Sequence, residues 1–310
     1  MSTITGVVRV DRREIEISRP EKVLFPDDGI TKGDLVEYYA RIAPWMLPYL
    51  RDRPLTLERY PNGINGKRFF QKEVSSYFPK WIRTATVPKA GGSVTHVVCN
   101  DTATLMYLAN QACVTPHILL SRVDKLDTPD QLVLDLDPQG DDFEVVRATA
   151  LDFKQLLDEL QLSAFLKTTG SRGLHIVVPL QRRETFDSVR AFGRDLASII
   201  VGQDPQTRTM EQLKANRGNR VFIDTNRNGY AQLVAPAYAV RPRPGAPVSV
   251  PLSWSELGRK NLRSNSFTIR NVFDRLDKGS DPWRDFWGSA ISLTGARRKL
   301  ERRARFTAGT

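Results

Sequence analysis

Two carboxylates two residues apart close a short apolar run, Gln131-Leu-Val-Leu-Asp135-Leu-Asp137-Pro138. Read as a strand, the run puts Leu132, Leu134 and Leu136 on one face and Val133, Asp135 and Asp137 on the other, because strand side chains alternate. At a rise of about 3.3 Å per residue the two acids' Cα atoms lie roughly 6–7 Å apart, close enough to hold one divalent ion or a pair. Pro138 has no N–H for a ladder, so the strand should stop there and leave both acids at its carboxyl end, where open α/β sheets usually place their ligands. Acids at strand ends are commonly just solvated. Two like charges side by side on an otherwise apolar strand, however, repel each other and call for a compensating cation. A third acid, Asp224, closes another short apolar stretch, Arg217-Gly-Asn-Arg-Val-Phe-Ile-Asp224. Three carboxylates at the ends of neighbouring strands form the usual ligand set for two divalent ions in phosphoryl transfer.

Other residues could serve a phosphate or a base. Thr169-Gly170-Ser171-Arg172-Gly173 lies between the strand-like stretches 164–168 and 174–179 and is followed by His175. Two glycines, two hydroxyls and an arginine in such a loop can offer backbone N–H groups and a guanidinium to phosphate oxygens, although an ordinary hairpin turn would look similar. Lys67-Arg68-Phe69-Phe70-Gln71-Lys72 flanks an aromatic pair with cations, which suits stacking on a single-stranded base, with core packing as the alternative. Lys22 and Lys32 sit on either side of a turn at Pro26–Gly29; surface lysines there are usually only solvated charge. His117 follows Pro116 in an apolar stretch, where a lone histidine is more often structural than functional. Arg241 and Arg243 lie in the proline-rich stretch 235–251, which cannot form a regular helix or a central strand.

The elements that would position these groups are legible by period. Val7–Ser18 alternates apolar and charged residues around Asp11-Arg12-Arg13 and reads as a hairpin. Thr31 caps a helix with Leu35, Tyr38, Tyr39, Ile42 and Met46 as its apolar stripe, which Pro44 can kink. Asp101 caps a second helix, and Asp141 or Asp142 a third that runs through Leu160; Thr185–Val201 is a fourth. Ser253 and Glu256 have capping-box spacing, and the remainder, with Trp283, Phe286 and Trp287, reads as helical up to a basic tail over Arg297–Arg305.

Composition bounds the partner. The 310 residues are 40% hydrophobic, enough for one large or two modest domains, and 46 Lys and Arg against 35 acids leave a formal charge of +11. That surplus points to a polyanion such as nucleic acid. Cys99 and Cys113 form no Cys-x-x-Cys pair, so neither a disulfide framework nor a cysteine zinc site is supported. No apolar run approaches the roughly 18 residues that span a bilayer, and no signal peptide is apparent, so a soluble protein of the reducing cytoplasm is expected.

Taken in order, EKVLFP, GITKGDLVEYY, Phe69-Phe70, Asp-Leu-Asp, Gly-Ser-Arg-Gly-Leu-His-Ile and Phe-Ile-Asp followed by APAYAVRPR resemble the archaeo-eukaryotic primase superfamily. The likeness is greatest to the polymerase module of bacterial LigD-type end-joining ligases and its stand-alone primase-polymerase relatives, and it covers nearly the whole chain. The resemblance implies an α/β (α+β) primase-polymerase core: mixed β-sheets with flanking helices, a soft N-terminal lobe over 1–125, an RRM-like catalytic lobe over 126–250 and a helical segment over 251–310. It implies that Asp135, Asp137 and Asp224 bind two Mn2+ or Mg2+ ions. It further implies that His117, Thr169, Ser171, Arg172, His175, Arg217 and Arg241 hold an incoming NTP or dNTP, that Lys22 and Lys32 grip a DNA 5′-phosphate, and that Phe69 and Phe70 stack on template bases. Thr169 and Arg172 stand where relatives often carry serine and lysine. The implied activity is template-dependent nucleotide addition, ribonucleotides included, at gapped DNA or double-strand-break ends in a bacterial nucleoid, with a separate DNA ligase and Ku as partners. Two rivals remain. A haloacid-dehalogenase-type phosphatase also uses Asp-x-Asp, but its motif continues Gly-Thr near the start of its domain. A non-catalytic nucleic-acid-binding module explains the charge and the aromatics but not the three acids.

Overall fold

The alternating N-terminal residues form the expected hairpin, with β1 (Gly6–Val10) antiparallel to β2 (Arg13–Ile17). The computed structural model describes the chain except residues 1–5, 11, 141, 278, 280 and 309–310, and the side chains of 304–308. Asp11 of the hairpin corner and Asp141, one of the two expected caps, therefore lie outside the described residues. The chain divides into two compact units, each discontinuous in sequence: Met1–Leu126 with Leu233–Val250 and Asn265–Asp281, and Asp127–Gln232 with Pro251–Ser264 and Pro282–Thr310.

In the first unit, β3 (Val23–Phe25) turns back into β4 (Ile30–Thr31), and α1 (Lys32–Leu50) starts at a capping box. There the Asp34 N–H donates to Thr31 Oγ1 and the Thr31 N–H donates to Asp34 Oδ2. The apolar stripe of α1 is fully buried, and the helix continues through both Pro44 and Pro48. Five strands follow: β5 (Pro54–Arg59), β6 (Phe69–Gln71), β7 (Thr84–Lys89), β8 (Gly92–Val98) and, after α2 (Thr102–Asn110), β9 (Cys113–Ile118). They pair antiparallel in the order β6-β5-β8-β7, and β5 also pairs with β9.

The second unit is a six-stranded sheet. Its elements are β10 (Gln131–Pro138), α3 (Phe143–Glu159), β11 (Phe165–Thr168), β12 (Leu174–Pro179), α4 (Phe186–Gln203), β13 (Arg208–Thr209), β14 (Val221–Asp224) and β15 (Pro251–Leu252), in the spatial order β13-β14-β10-β12-β11-β15. All pairs are antiparallel except β13 with β14. The leucine face of β10 is the core: Leu132, Leu134 and Leu136 are wholly buried under α3 and α4, and Gly193 of α4 lets that helix approach Leu132 and Leu134 closely. The opposite face carries the acids.

Two expectations about the C-terminal half change. The proline-rich stretch does not stay with a lobe over 126–250 but returns to the first unit. Ile118 and Val234 exchange backbone hydrogen bonds (2.9 and 3.1 Å), Thr115 Oγ1 donates to Val240 O (2.5 Å) and Tyr38 OH to Tyr238 O (2.8 Å). Nor is 251–310 one helical segment. Pro251–Leu252 is a sheet edge, the Ser253–Glu256 capping box opens only a short 3-10 helix, α5 (Val272–Leu276) belongs to the first unit, and a long helix comes only at α6 (Thr294–Ala308). Pro282 and Gly288 break the periodic pattern between α5 and α6. The aromatics there pack as a cluster instead, with Trp283 stacked on Phe286 (4.8 Å, 8°) and Phe165 edge-on to both.

Two predictions follow from this packing. A Cβ built on Gly173 would lie 1.8 Å from the Leu136 carbonyl oxygen, so only glycine lets the loop before β12 reach β10. Gly173→Ala is expected to lose about 3 kcal/mol or more, or to fail to fold, as read from the denaturant midpoint. A parental midpoint would mean that the two strands separate freely. His96 on β8 is buried with Nδ1 2.9 Å from Leu55 O, and burial holds its pKa below the usual 6.5. Above that value both folded and unfolded states carry neutral His96; below it the unfolded chain takes up a proton that the fold resists, so stability falls as pH falls. His96→Gln should make the loss of stability between pH 7 and pH 5 shallower than in the parent, and an identical slope would exclude His96 as a contributor.

Candidate active site

Sheet register, not only sequence spacing, assembles the acids. Asp135 on β10 is directly opposite His175 on β12 and also directly opposite Asp224 on β14, while His175 is opposite Lys167 on β11. Residues directly opposite share a face, so Lys167, His175, Asp135 and Asp224 form one row across four strands, and Asp137 stands two residues along β10 on the same face. The structure thus brings together the three acids and His175, and adds Lys167, which is buried.

Nitrogen-bearing side chains surround these acids. His175 Nε2 lies 3.3 Å from Asp135 Oδ1. Arg227, on the one-turn 3-10 helix Asn226–Asn228 after β14, places Nε 3.4 Å from Asp135 Oδ2 and 3.4 Å from Asp224 Oδ2. Arg172 Nη2 is 3.5 Å from Asp137 Oδ1. Burial alone would raise the pKa of Asp135, but His175, Arg227 and Lys167 outweigh it and hold the carboxyl well below the usual range. Asp137 moves the other way, raised by burial and by the neighbouring Asp135 charge; Asp224 is also raised, chiefly by burial. Burial and Lys167 keep His175 neutral, with its pKa pushed down to about 4. Among the described residues, no three His, Cys, Asp or Glu side chains converge as a finished cation cage; the acid oxygens turn instead to Arg227, His175 and Arg172. The donor chemistry still suits hard divalent ions, because three carboxylates on one face offer the oxygen ligands such ions take.

The loop beside the row is held by hydroxyls. Thr169 Oγ1 accepts from the Ser171 and Gly173 N–H groups (both 3.2 Å) and lies 3.0 Å from Ser264 Oγ, which donates to Gly173 O (2.7 Å). The Thr169 hydroxyl therefore shapes the loop from a buried position, whereas Ser171 is half-buried and Arg172 exposed. Arg217 is buried, its guanidinium stacked 3.6 Å over the Phe222 ring and donating to Glu211 O and Gln212 O (both 2.8 Å). Its charge still favours the ionised forms of Asp137 and Asp224.

The remaining expected residues lie in the first unit. His117 Nε2 is 2.8 Å from Glu58 Oε2, and Arg68 Nη1 is 3.5 Å from Glu58 Oε1. Burial raises the Glu58 pKa, but His117, Tyr60 and Arg241 outweigh it, which places Arg241 in the same charge cluster. Phe69 and Phe70 are 41% and 43% exposed, so the core-packing alternative does not describe them. Arg59 lies over Phe69 (5.2 Å), Arg68 over Phe70 (5.4 Å), and Phe70 is tilted against His117 (5.7 Å). Lys22 and Lys32 come together because β3 and β4 pair and the Lys32 N–H donates to Lys22 O (2.8 Å). Lys32 Nζ reaches Ser18 Oγ (2.9 Å), and its pKa is lowered by burial and by the charges of Arg19 and Lys22. Three cations held together in this way favour an anion.

Sequence reasoning missed Arg227, Lys167, Glu58, Ser264 and Arg19. Arg227 and Arg19 had a local signal, three residues from Asp224 and from Lys22; the others become visible only in the folded chain.

Several known proteins are similar to this chain. The protein named multifunctional non-homologous end joining protein LigD from Pseudomonas aeruginosa is 33% identical over 298 residues, 95% of this chain and 35% of that protein. The bifunctional non-homologous end joining protein LigD of Bacillus subtilis is 30% identical over 276 residues, 88% of this chain and 44% of that protein. The chain thus spans less than half the length of these curated relatives. The solved structure of the polymerase domain from Mycobacterium tuberculosis ligase D in complex with DNA superposes with a TM-score of 0.84 at 28% identity, covering 89% of this chain and 99% of that one. The family description "LigD, primase-polymerase domain" matches residues 31–283, and the chain belongs to that family.

Proposed function

We propose that the chain is a template-dependent nucleotidyltransferase of DNA repair, which extends a primer at a gap or broken end and accepts ribonucleotides as well as deoxynucleotides. The observation that carries this reading is the register that sets Asp135 opposite Asp224, with Asp137 on the same face, beside the Thr169–Gly173 loop. The relatives support it, since their names place them in non-homologous end joining and one solved relative is a polymerase domain with DNA. A DNA ligase and Ku are the proposed partners. Among the described residues, no helix is long and apolar enough to cross a membrane.

Asp135, Asp137 and Asp224 would hold two divalent ions, Mn2+ or Mg2+. Bound there, such ions lower the pKa of a primer 3′-hydroxyl and offset charge on the α-phosphate and the leaving pyrophosphate. The chain's own groups do the rest. The low pKa of Asp135 keeps one ligand ionised at any working pH. Neutral His175 can donate or accept a hydrogen bond without adding charge beside Asp135. The exposed Arg172 guanidinium would face a triphosphate, on a loop whose Ser171 and Gly173 N–H groups are held by Thr169, and Arg217 adds fixed positive charge from behind Phe222. In the addition, the 3′-oxygen bonds to the α-phosphorus as the bond to pyrophosphate breaks, and the hydroxyl proton leaves to solvent or a carboxylate. In the first unit, the Arg19, Lys22 and Lys32 cluster suits a DNA 5′-phosphate, while Phe69 and Phe70 offer faces for unpaired template bases.

Primer extension on a short gapped duplex with a downstream 5′-phosphate and Mn2+ tests the activity. Parental protein should add templated nucleotides, and Asp135→Ala with Asp137→Ala should fall to the level without enzyme while keeping the parental circular dichroism. Extension by the folded double variant at the parental rate would refute the assignment, and failure of the parent with every nucleotide and metal would favour a binding module. For the 5′-phosphate, Lys22→Ala and Lys32→Ala should each weaken binding of a phosphorylated gap about tenfold and leave an unphosphorylated gap nearly unaffected. Equal affinity of the parent for both gaps would remove that role.

A further inference from the structure

We propose that Arg227 is a built-in competitor for the cation seat between Asp135 and Asp224, so that it sets how tightly a divalent ion binds there. The inference rests on reading those acids as metal ligands. Its first ground is geometric. One guanidinium nitrogen, Nε, is 3.4 Å from an oxygen of each carboxylate, and those carboxylates belong to residues directly opposite each other on β10 and β14. The other oxygens, Asp135 Oδ1 and Asp224 Oδ1, already meet His175 Nε2 and the Asn226 N–H, so a cation that draws on both acids competes for the Oδ2 atoms that Arg227 engages.

The second ground is how the arginine is held. Its neighbour Asn228 is fully buried and clamps β10, donating from Nδ2 to Val133 O (2.7 Å) and accepting from the Val133 N–H at Oδ1 (2.7 Å). The backbone that carries Arg227 is therefore fixed to the strand that carries Asp135 and Asp137. The Arg227 side chain, however, is 41% exposed against 12% and 14% for the two acids. It enters the seat from the solvent side on a fixed base, with room to swing out. The third ground is the quality of the contact. A single N–H shared at 3.4 Å between two oxygens is long for a hydrogen bond, and the pair lacks the parallel two-bond geometry of a strong arginine–carboxylate contact. A divalent ion has twice the charge and coordinates the same oxygens at close to 2 Å, so it can displace the guanidinium but must overcome it. Asp137 lies outside this bridge and faces Arg172 instead. The competition therefore falls on Asp135 and Asp224, and an anion that takes over the displaced guanidinium would ease ion entry.

The test is Mn2+ binding by the full chain without nucleotide, read from the electron paramagnetic resonance signal of free aqueous Mn2+. Arg227→Gln should bind Mn2+ about tenfold more tightly than the parent. Arg227→Lys, which keeps the cation, should stay close to the parent, and Asp135→Asn should lose the site. If Arg227→Gln binds with parental or weaker affinity while Asp135→Asn still loses the ion, the competitor role is overturned and the metal seat stands. If the parent takes up no Mn2+ at millimolar concentration, with or without a nucleoside triphosphate, the metal reading and this inference fall together.

Discussion

Mutual repulsion among three carboxylates is the constraint that orders the second unit. Asp135, Asp137 and Asp224 are brought to one face by an antiparallel register that cannot slip without moving every side chain of β10 to the wrong side. The leucine face holds that register. Leu132, Leu134 and Leu136 are fully buried, so a one-residue shift would expose three leucines and bury the acids, each leucine worth about 2 kcal/mol of burial. Apolar burial on one face thus maintains the electrostatic cost on the other. The surrounding cations answer that cost unevenly: Asp135 is drawn far down, while Asp137 and Asp224 remain raised.

The same economy shapes the Thr169–Gly173 loop. Its backbone N–H groups need partners where the loop is buried. Here the Thr169 hydroxyl takes the Ser171 and Gly173 N–H groups, and Ser264, ninety-five residues from Thr169, secures the Gly173 carbonyl. The closeness of Gly173 to Leu136 O then ties the loop to the strand that bears the acids. Thr169 supplies the hydroxyl on which this arrangement depends. Arg172 brings a planar guanidinium to Asp137, a geometry that a lysine would not reproduce.

What the sequence made legible was whatever repeats with a short period or acts within a few residues. Alternation along Gln131–Pro138 placed both acids on one face, stripes three and four residues apart marked α1, α3 and α4, and the Thr31 and Asp101 caps sit where their side chains can take the first free N–H groups. What stayed hidden depends on which strands become neighbours. Lys167 looks like an ordinary strand residue until β11 and β12 pair and set it opposite His175. Glu58 has no local mark, because its partner His117 is fifty-nine residues away. The proline-rich stretch was rightly denied regular structure, but composition could not say that Val234 would pair with Ile118 and carry it back to the first unit. The pattern after Ser253 misled for a local reason: its apolar spacing is helical, yet Pro282 and Gly288 interrupt it and the aromatics pack as a cluster.

The acids also differ in depth, and that difference bears on how the site would work. Asp135 and Asp224 have side chains 12% and 14% exposed, while Asp137 is 35% exposed. The inner pair is held by strand pairing and by the Asn226 N–H on Asp224 Oδ1 (2.8 Å). The outer acid faces the exposed Arg172 and has a raised pKa, so an added cation would favour its ionised form. Two buried acids with a third, more exposed one would suit the proposed reaction, in which the inner carboxylates would hold their ions while the outer one meets the changing charge of substrate and product.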